Sequence, residues 1–168
     1  QAAPVVADGV VYVLDGSGVV HAIDAKTFKE KWRFATEGGV GNCNNVAAPA
    51  VVGKYLHVGT MAGYYYVLSR ETGKVVKRID CKEPIFSAPA VGKGRVYFAT
   101  LGARVFAVSP KGKVEWTWDF VKEVVGFKGN RWLGADWVKF RGDRVTWKDH
   151  FVCSRDISLV DKTVVMPA

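Results

Sequence analysis

Three cysteines, Cys43, Cys81 and Cys153, stand far apart in the sequence, each a few residues ahead of an apolar run. Three thiols allow one disulfide plus one free thiol, and inert thiols, a metal site and a catalytic thiol are the other chemistries open to them. Zinc asks for four ligands, with paired cysteines at short spacing, and the chain has neither C-x-x-C nor H-x-x-x-H. His21 and His57 fall inside apolar runs, while His150 lies in a polar stretch remote from both. Cys43, Cys81 and Cys153 therefore read as a candidate disulfide or inert thiols before they read as metal ligands or a nucleophile.

Two further stretches carry binding chemistry. "GNCNN" supplies Asn42, Asn44 and Asn45; asparagine serves turns through its tolerance of left-handed backbone, and it also serves ligands. Residues 121–155, "VKEVVGFKGNRWLGADWVKFRGDRVTWKDHFVCSR", interleave tryptophan with charge: Trp132, Asp136, Trp137, Arg141, Trp147, His150 and Arg155. Aromatic rings beside cations suit a carbohydrate, peptide or protein partner, although Trp132 and Trp137 would equally plug a loop onto the layer beneath. The candidate binding face is Asn44, Asn45, Trp132, Asp136, Trp137, His150 and Arg155. Catalytic signatures do not accompany it. "VGKGRV" at 91–96 lacks the phosphate-loop order, and G-x-S-x-G, a dinucleotide fingerprint and an N-x-[ST] sequon do not occur.

The chain has 168 residues, 49% hydrophobic and 12% aromatic, enough for an ordered core. Its 18 glycines against 6 prolines suggest many tight turns. The formal net charge is +8, but the basic residues are scattered, mostly beside turns, which reads as solvated loops rather than a nucleic-acid footprint. Attraction to acidic polymers or anionic surfaces is the lesser reading of that charge. No apolar run approaches the roughly 20 residues that span a bilayer, and no basic-then-apolar leader opens the sequence.

What must position these residues is a repeat. Ala3-Pro4-Val5-Val6, Ala48-Pro49-Ala50-Val51 and Ala88-Pro89-Ala90-Val91 open three similar units, their prolines 45 and then 40 residues apart. Each unit continues with apolar runs (Val10–Val13, Tyr55–Val58, Arg95–Phe98, then Val19–Ile23, Tyr64–Leu68, Arg104–Val108) and a last run around Trp32, Lys77, or Trp116 with Trp118. Four short strands at this period describe a propeller blade. Alternation along Tyr64-Tyr65-Tyr66 sends the middle ring to one neighbouring blade and its companions to the other.

"DGVVYVLDGSGVVHAIDAKTFKEKW" (8–32) resembles the repeat of pyrroloquinoline-quinone-type propellers, with Phe28 in place of the usual glycine. "SRETGKVVK" carries Lys77 where tryptophan is expected, and "SPKGKVEW" is one residue shorter. The resemblance covers residues 3 to 120. It implies an extracytoplasmic, periplasmic or extracellular setting, in which a disulfide would persist. In such a ring the cysteines lie in blade-to-blade connections on one face, so that adjacent blades bring Cys43 toward Cys81, or Cys81 toward Cys153. Quinone-dependent dehydrogenases of this family use adjacent cysteines beside pyrroloquinoline quinone, with calcium; this sequence has no Cys-Cys pair.

The fold class expected is all-β: a partial propeller with blades at 3–35, 47–80 and 87–120, an insertion at 121–155 and the start of a fourth blade at 156–168. About three and a half blades fall short of a typical ring of about 4–8. The remainder of a longer polypeptide, or a second chain, is expected to complete a ring of seven or eight. The function expected is a non-catalytic binding or scaffold module without a cofactor, presenting inter-blade loops to a protein or polysaccharide and not to nucleic acid. Part of a dehydrogenase using pyrroloquinoline quinone and calcium is the alternative, and a sensor domain of a signalling protein a second.

Overall fold

The computed structural model describes residues 2–38, 45–141, 157–160 and 163–165. Twelve strands form three four-stranded antiparallel sheets in simple meander order. The first holds β1 (Val5–Ala7), β2 (Val10–Leu14), β3 (Val19–Asp24) and β4 (Glu30–Ala35). The second holds β5 (Ala50–Val52), β6 (Tyr55–Gly59), β7 (Tyr64–Ser69) and β8 (Val75–Asp80). The third holds β9 (Ala90–Gly92), β10 (Arg95–Ala99), β11 (Arg104–Val108) and β12 (Val114–Asp119). A hairpin of β13 (Ser158–Val160) and β14 (Thr163–Val165) follows. The short strands β1, β5, β9 and β13 contact one another in succession, so they line the axis of a propeller.

Local chemistry sets the boundaries. Pro4, Pro49 and Pro89 stand one residue before β1, β5 and β9 rather than within them, because a residue without an N–H cannot enter the ladder. Asp8 and Gly9 have φ of 49° and 73°, and Lys93 and Gly94 have 50° and 74°, the doubly left-handed pair of a tight hairpin turn. The pairing of the third strand with the fourth shifts at the same place in every sheet, after Ala22, Val67 and Ala107.

The sheets bury each other face to face. Tyr12, Leu14, Val20 and Ala22 pack on Leu56, Val58, Tyr66 and Leu68. The other parity of the second sheet, Tyr65 and Val67, packs with Val96, Phe98, Phe106 and Val108, and Tyr65 stacks on Phe98 with ring centroids 3.7 Å apart. The far face of the third sheet, Tyr97, Ala99, Val105 and Ala107, is sealed by Val121, Phe127 and Ile157. Period-two alternation thus divides each strand between two neighbours, as the three consecutive tyrosines require.

Outer-strand residues lock the junctions. Trp32 donates its Nε1–H to the Arg70 carbonyl oxygen at 2.9 Å and lies so close over Gly73 that a Cβ there would stand 2.6 Å from the indole ring. Gly73 also has φ of 69°, so the backbone as well as the close approach favours glycine. Lys77 takes the position of Trp32 in the second sheet, with its stem against Gly112. Beyond β12, α1 (Phe120–Glu123) is capped by the Asp119 side chain, and α2 (Gly134–Arg141) completes the described part of the insertion.

Candidate functional site

In each meander sheet the second hairpin turn and the connection to the next sheet fall at one end, and the first and third turns at the other. The connector end holds the described candidates. Asn45 is 3% exposed and its Oδ1 accepts the Met61 N–H at 2.9 Å, tying the connector to the β6–β7 turn. Beside it, Leu14, Asp15, Gly16, Asn45 and Val46 line an open cleft of about 490 Å³.

A buried ion cluster organises the next junction. The Glu83 carboxylate, 5% exposed, accepts from Thr100 Oγ1 at 2.5 Å and from Arg104 Nε at 3.1 Å. Arg131 Nε lies 3.7 Å from its other oxygen. Arg104 also donates to the Cys81 carbonyl at 2.5 Å, and Arg131 to the Gly102 carbonyl and the Asp119 carboxylate. A Cβ at Gly102 would stand 2.6 Å from the Glu83 carboxylate. Two guanidinium groups offset the cost of burying this carboxylate. With its oxygens so engaged it is a clamp that fixes the insertion to the third sheet.

The insertion then presents apolar surface. Phe127 is buried and meets Phe140 edge to face at 5.3 Å. Asp136 accepts the Asn130 N–H at 2.8 Å, and Asn130 Oδ1 accepts the Trp132 N–H at 3.0 Å. Trp132, Leu133, Val138 and Phe140 remain 42–49% exposed. Exposed aromatic and aliphatic side chains on a fastened segment are chemistry that a protein partner can bury.

The structure brings Trp132 and Asp136 together on this segment, with Trp137 in the same helix, and leaves Asn45 at the junction of the first two sheets. Cys81 is 1% exposed, and burial pushes its thiol up to about 12, so it stays protonated at neutral pH. Cys43, Asn44, His150, Cys153 and Arg155 lie outside the described residues. Sequence reasoning missed Glu83, Thr100, Arg104, Asp119 and Arg131. A signal was present: Arg104 occupies the repeat position held by Val19 and Tyr64, an unexplained charge at the start of a buried strand.

A family model described as outer membrane protein assembly factor BamB matches residues 1–47 and 44–131. Over 120 residues the chain is 33% identical to the outer membrane protein assembly factor BamB of Burkholderia pseudomallei, covering 68% of this chain and 29% of that one. It is 31% identical over 124 residues to the quinoprotein alcohol dehydrogenase PedH of Pseudomonas putida, covering 68% and 20%. The solved quinohemoprotein alcohol dehydrogenase ADHIIG of Pseudomonas putida superposes with a TM-score of 0.71 at 19% identity, over 96% of this chain and 27% of that one; at that identity the likeness concerns the fold. The chain spans less than a third of the length of each of these proteins.

Proposed function

Because this chain belongs to the family described as outer membrane protein assembly factor BamB, we propose that it serves as a rigid, non-catalytic binding scaffold in the periplasm. One observation carries the reading: Arg131, clamped to Glu83 and Asp119, holds the adjoining Trp132 and Leu133 half exposed at the connector end. The occupant is a protein partner that buries those side chains; a polysaccharide stacking on Trp132 is the lesser candidate. The rest of a ring of seven or eight blades comes from the remainder of the polypeptide or from a second chain. Pull-down from a periplasmic extract with the intact protein tests the proposal. The wild type retains outer-membrane assembly proteins, and deletion of 121–155 releases them. Unchanged retention after that deletion refutes it.

The likeness to PedH supports a second reading, part of a dehydrogenase that uses pyrroloquinoline quinone with calcium. Calcium asks for six to eight oxygen ligands, and the described residues bring no group of three or more metal-ligating side chains together. The described part of this chain does not fit as that site, so the reading places quinone and calcium elsewhere in the polypeptide. Reconstitution of the intact protein with both tests it: a bound quinone absorbance together with alcohol oxidation supports this reading, and neither appearing rejects it.

A further inference from the structure

We propose that the end of the propeller opposite the connectors docks on an anionic lipid bilayer. Lysines that look scattered along the sequence are gathered there by topology. Lys26 and Lys29 belong to the β3–β4 turn, Lys54 to the β5–β6 turn, Lys74 to the β7–β8 turn, and Lys111 and Lys113 to the β11–β12 turn. All six are exposed, and among the described residues none forms an ion pair.

These turns form a fastened surface rather than loose tips. Ala25 donates its N–H to the Gly9 carbonyl at 2.8 Å, and Arg70 its N–H to Lys54 at 3.1 Å. The Arg70 guanidinium crosses to the first sheet, reaching Asp8 Oδ2 at 2.8 Å, and also donates to Gly53 in its own sheet at 2.7 Å. Of the acidic groups beside the lysines, Asp8 is engaged by Arg70, Asp24 by the N–H groups of Lys26 and Thr27, and Glu115 by Arg95, while Glu71 of the β7–β8 turn forms no ion pair among the described residues and offsets one lysine. At the connector end, by contrast, Arg78 pairs with Glu37, Lys82 with Asp80, and Arg104 and Arg131 with Glu83. Six unpaired lysines therefore gather at the turn end, as against Lys128 and Lys139 in the described part of the insertion.

Phe28 gives that end an apolar point. It is 83% exposed between Lys26 and Lys29, with φ of 58° where Gly73 and Gly112 have 69° and 81° at the equivalent turn positions. An exposed phenyl flanked by ammonium groups on a rigid surface matches a bilayer interface, with the ring at the acyl boundary and the lysines among phosphates. A projecting point suits a surface better than it suits the groove of a duplex, which favours lipid over nucleic acid.

Co-sedimentation of the intact protein with phosphatidylcholine vesicles, with and without a minority of phosphatidylglycerol, tests this. Binding is expected only with phosphatidylglycerol and is expected to weaken as salt rises. Lys26→Gln and Lys29→Gln should each weaken partition about fivefold, and Phe28→Gly about tenfold, while thermal unfolding shows each variant folded. Lys128→Gln and Lys139→Gln, in the insertion, should leave partition unchanged. Equal binding to both vesicle types, equal loss from the insertion variants, or preference for a DNA duplex over the anionic vesicles would overturn the proposal.

Discussion

His57 and Pro110 close the junction between the second and third sheets, the ring Nε2–H donating to the Pro110 carbonyl oxygen at 3.0 Å. In the preceding junction the Trp32 indole makes the equivalent bond to Arg70, and Lys77 stands where a second tryptophan would. A histidine on β6 therefore supplies the donor that the outer strand lacks. A carbonyl only accepts, so the proton resides on Nε2, and Nδ1 accepts from the Tyr65 hydroxyl at 3.1 Å.

Acid should open this junction. Burial lowers the His57 pKa from 6.5 to about 4. Between those values the unfolded chain binds a proton that the folded chain refuses, so stability falls as pH drops through the window. The loss should approach about 3 kcal/mol near the lower end. Urea denaturation at neutral and mildly acidic pH measures it. His57→Gln keeps a donor and removes the titration, so this part of the pH dependence should vanish; its persistence would assign the effect to another group.

The first junction should be sensitive to a single methyl group. Gly73→Ala forces a Cβ into the Trp32 ring at a left-handed φ, costing about 1–2 kcal/mol for the backbone and about 1–3 kcal/mol for overpacking. Gly16→Ala, where a Cβ meets nothing within 4 Å, is the comparison and should be nearly neutral. Similar unfolding midpoints for the two variants would show that the Trp32 contact yields easily.

The sheets were legible in the sequence because each strand's two parities answer to two neighbours, as Tyr65 and Tyr66 do, and because the turns recur with the repeat. The clamp was not. Glu83, Arg104 and Arg131 are ordinary surface residues by type, and only folding brings a connector, a strand start and the insertion to one buried point. Charge is the reverse case: Lys26, Lys54 and Lys111 are solvated turn residues that look dispersed in sequence, yet the alternation of turns collects them at one end. Composition records how many charges there are, while topology decides where they meet.

Breaking the clamp should separate stability from insertion order. Glu83→Gln leaves two guanidinium groups facing a neutral amide and should cost about 3–5 kcal/mol. Arg131→Met spares the Glu83–Arg104 pair, so it should cost less while releasing the segment around Trp132. Hydrogen exchange would then speed up at 128–133 with β10 and β11 still protected. Unchanged exchange at 128–133 would mean that other contacts, among them Phe127–Phe140 and Asn130–Asp136, hold the insertion without the clamp.

Phe28 makes the opposite kind of prediction, a substitution that should stabilise. The phenyl is 83% exposed and contributes little burial, while its left-handed backbone costs about 1–2 kcal/mol that glycine does not bear. Glycine's greater freedom in the unfolded chain returns about 0.5–1 kcal/mol of that gain. Phe28→Gly should therefore raise stability by up to about 1.5 kcal/mol, measured as a higher denaturation midpoint with the slope unchanged. A strained, exposed aromatic whose removal strengthens the fold is one kept for something outside the fold, as lipid docking requires. A lower midpoint would show instead that the ring packs on its own turn, and would remove the strain argument for a surface role.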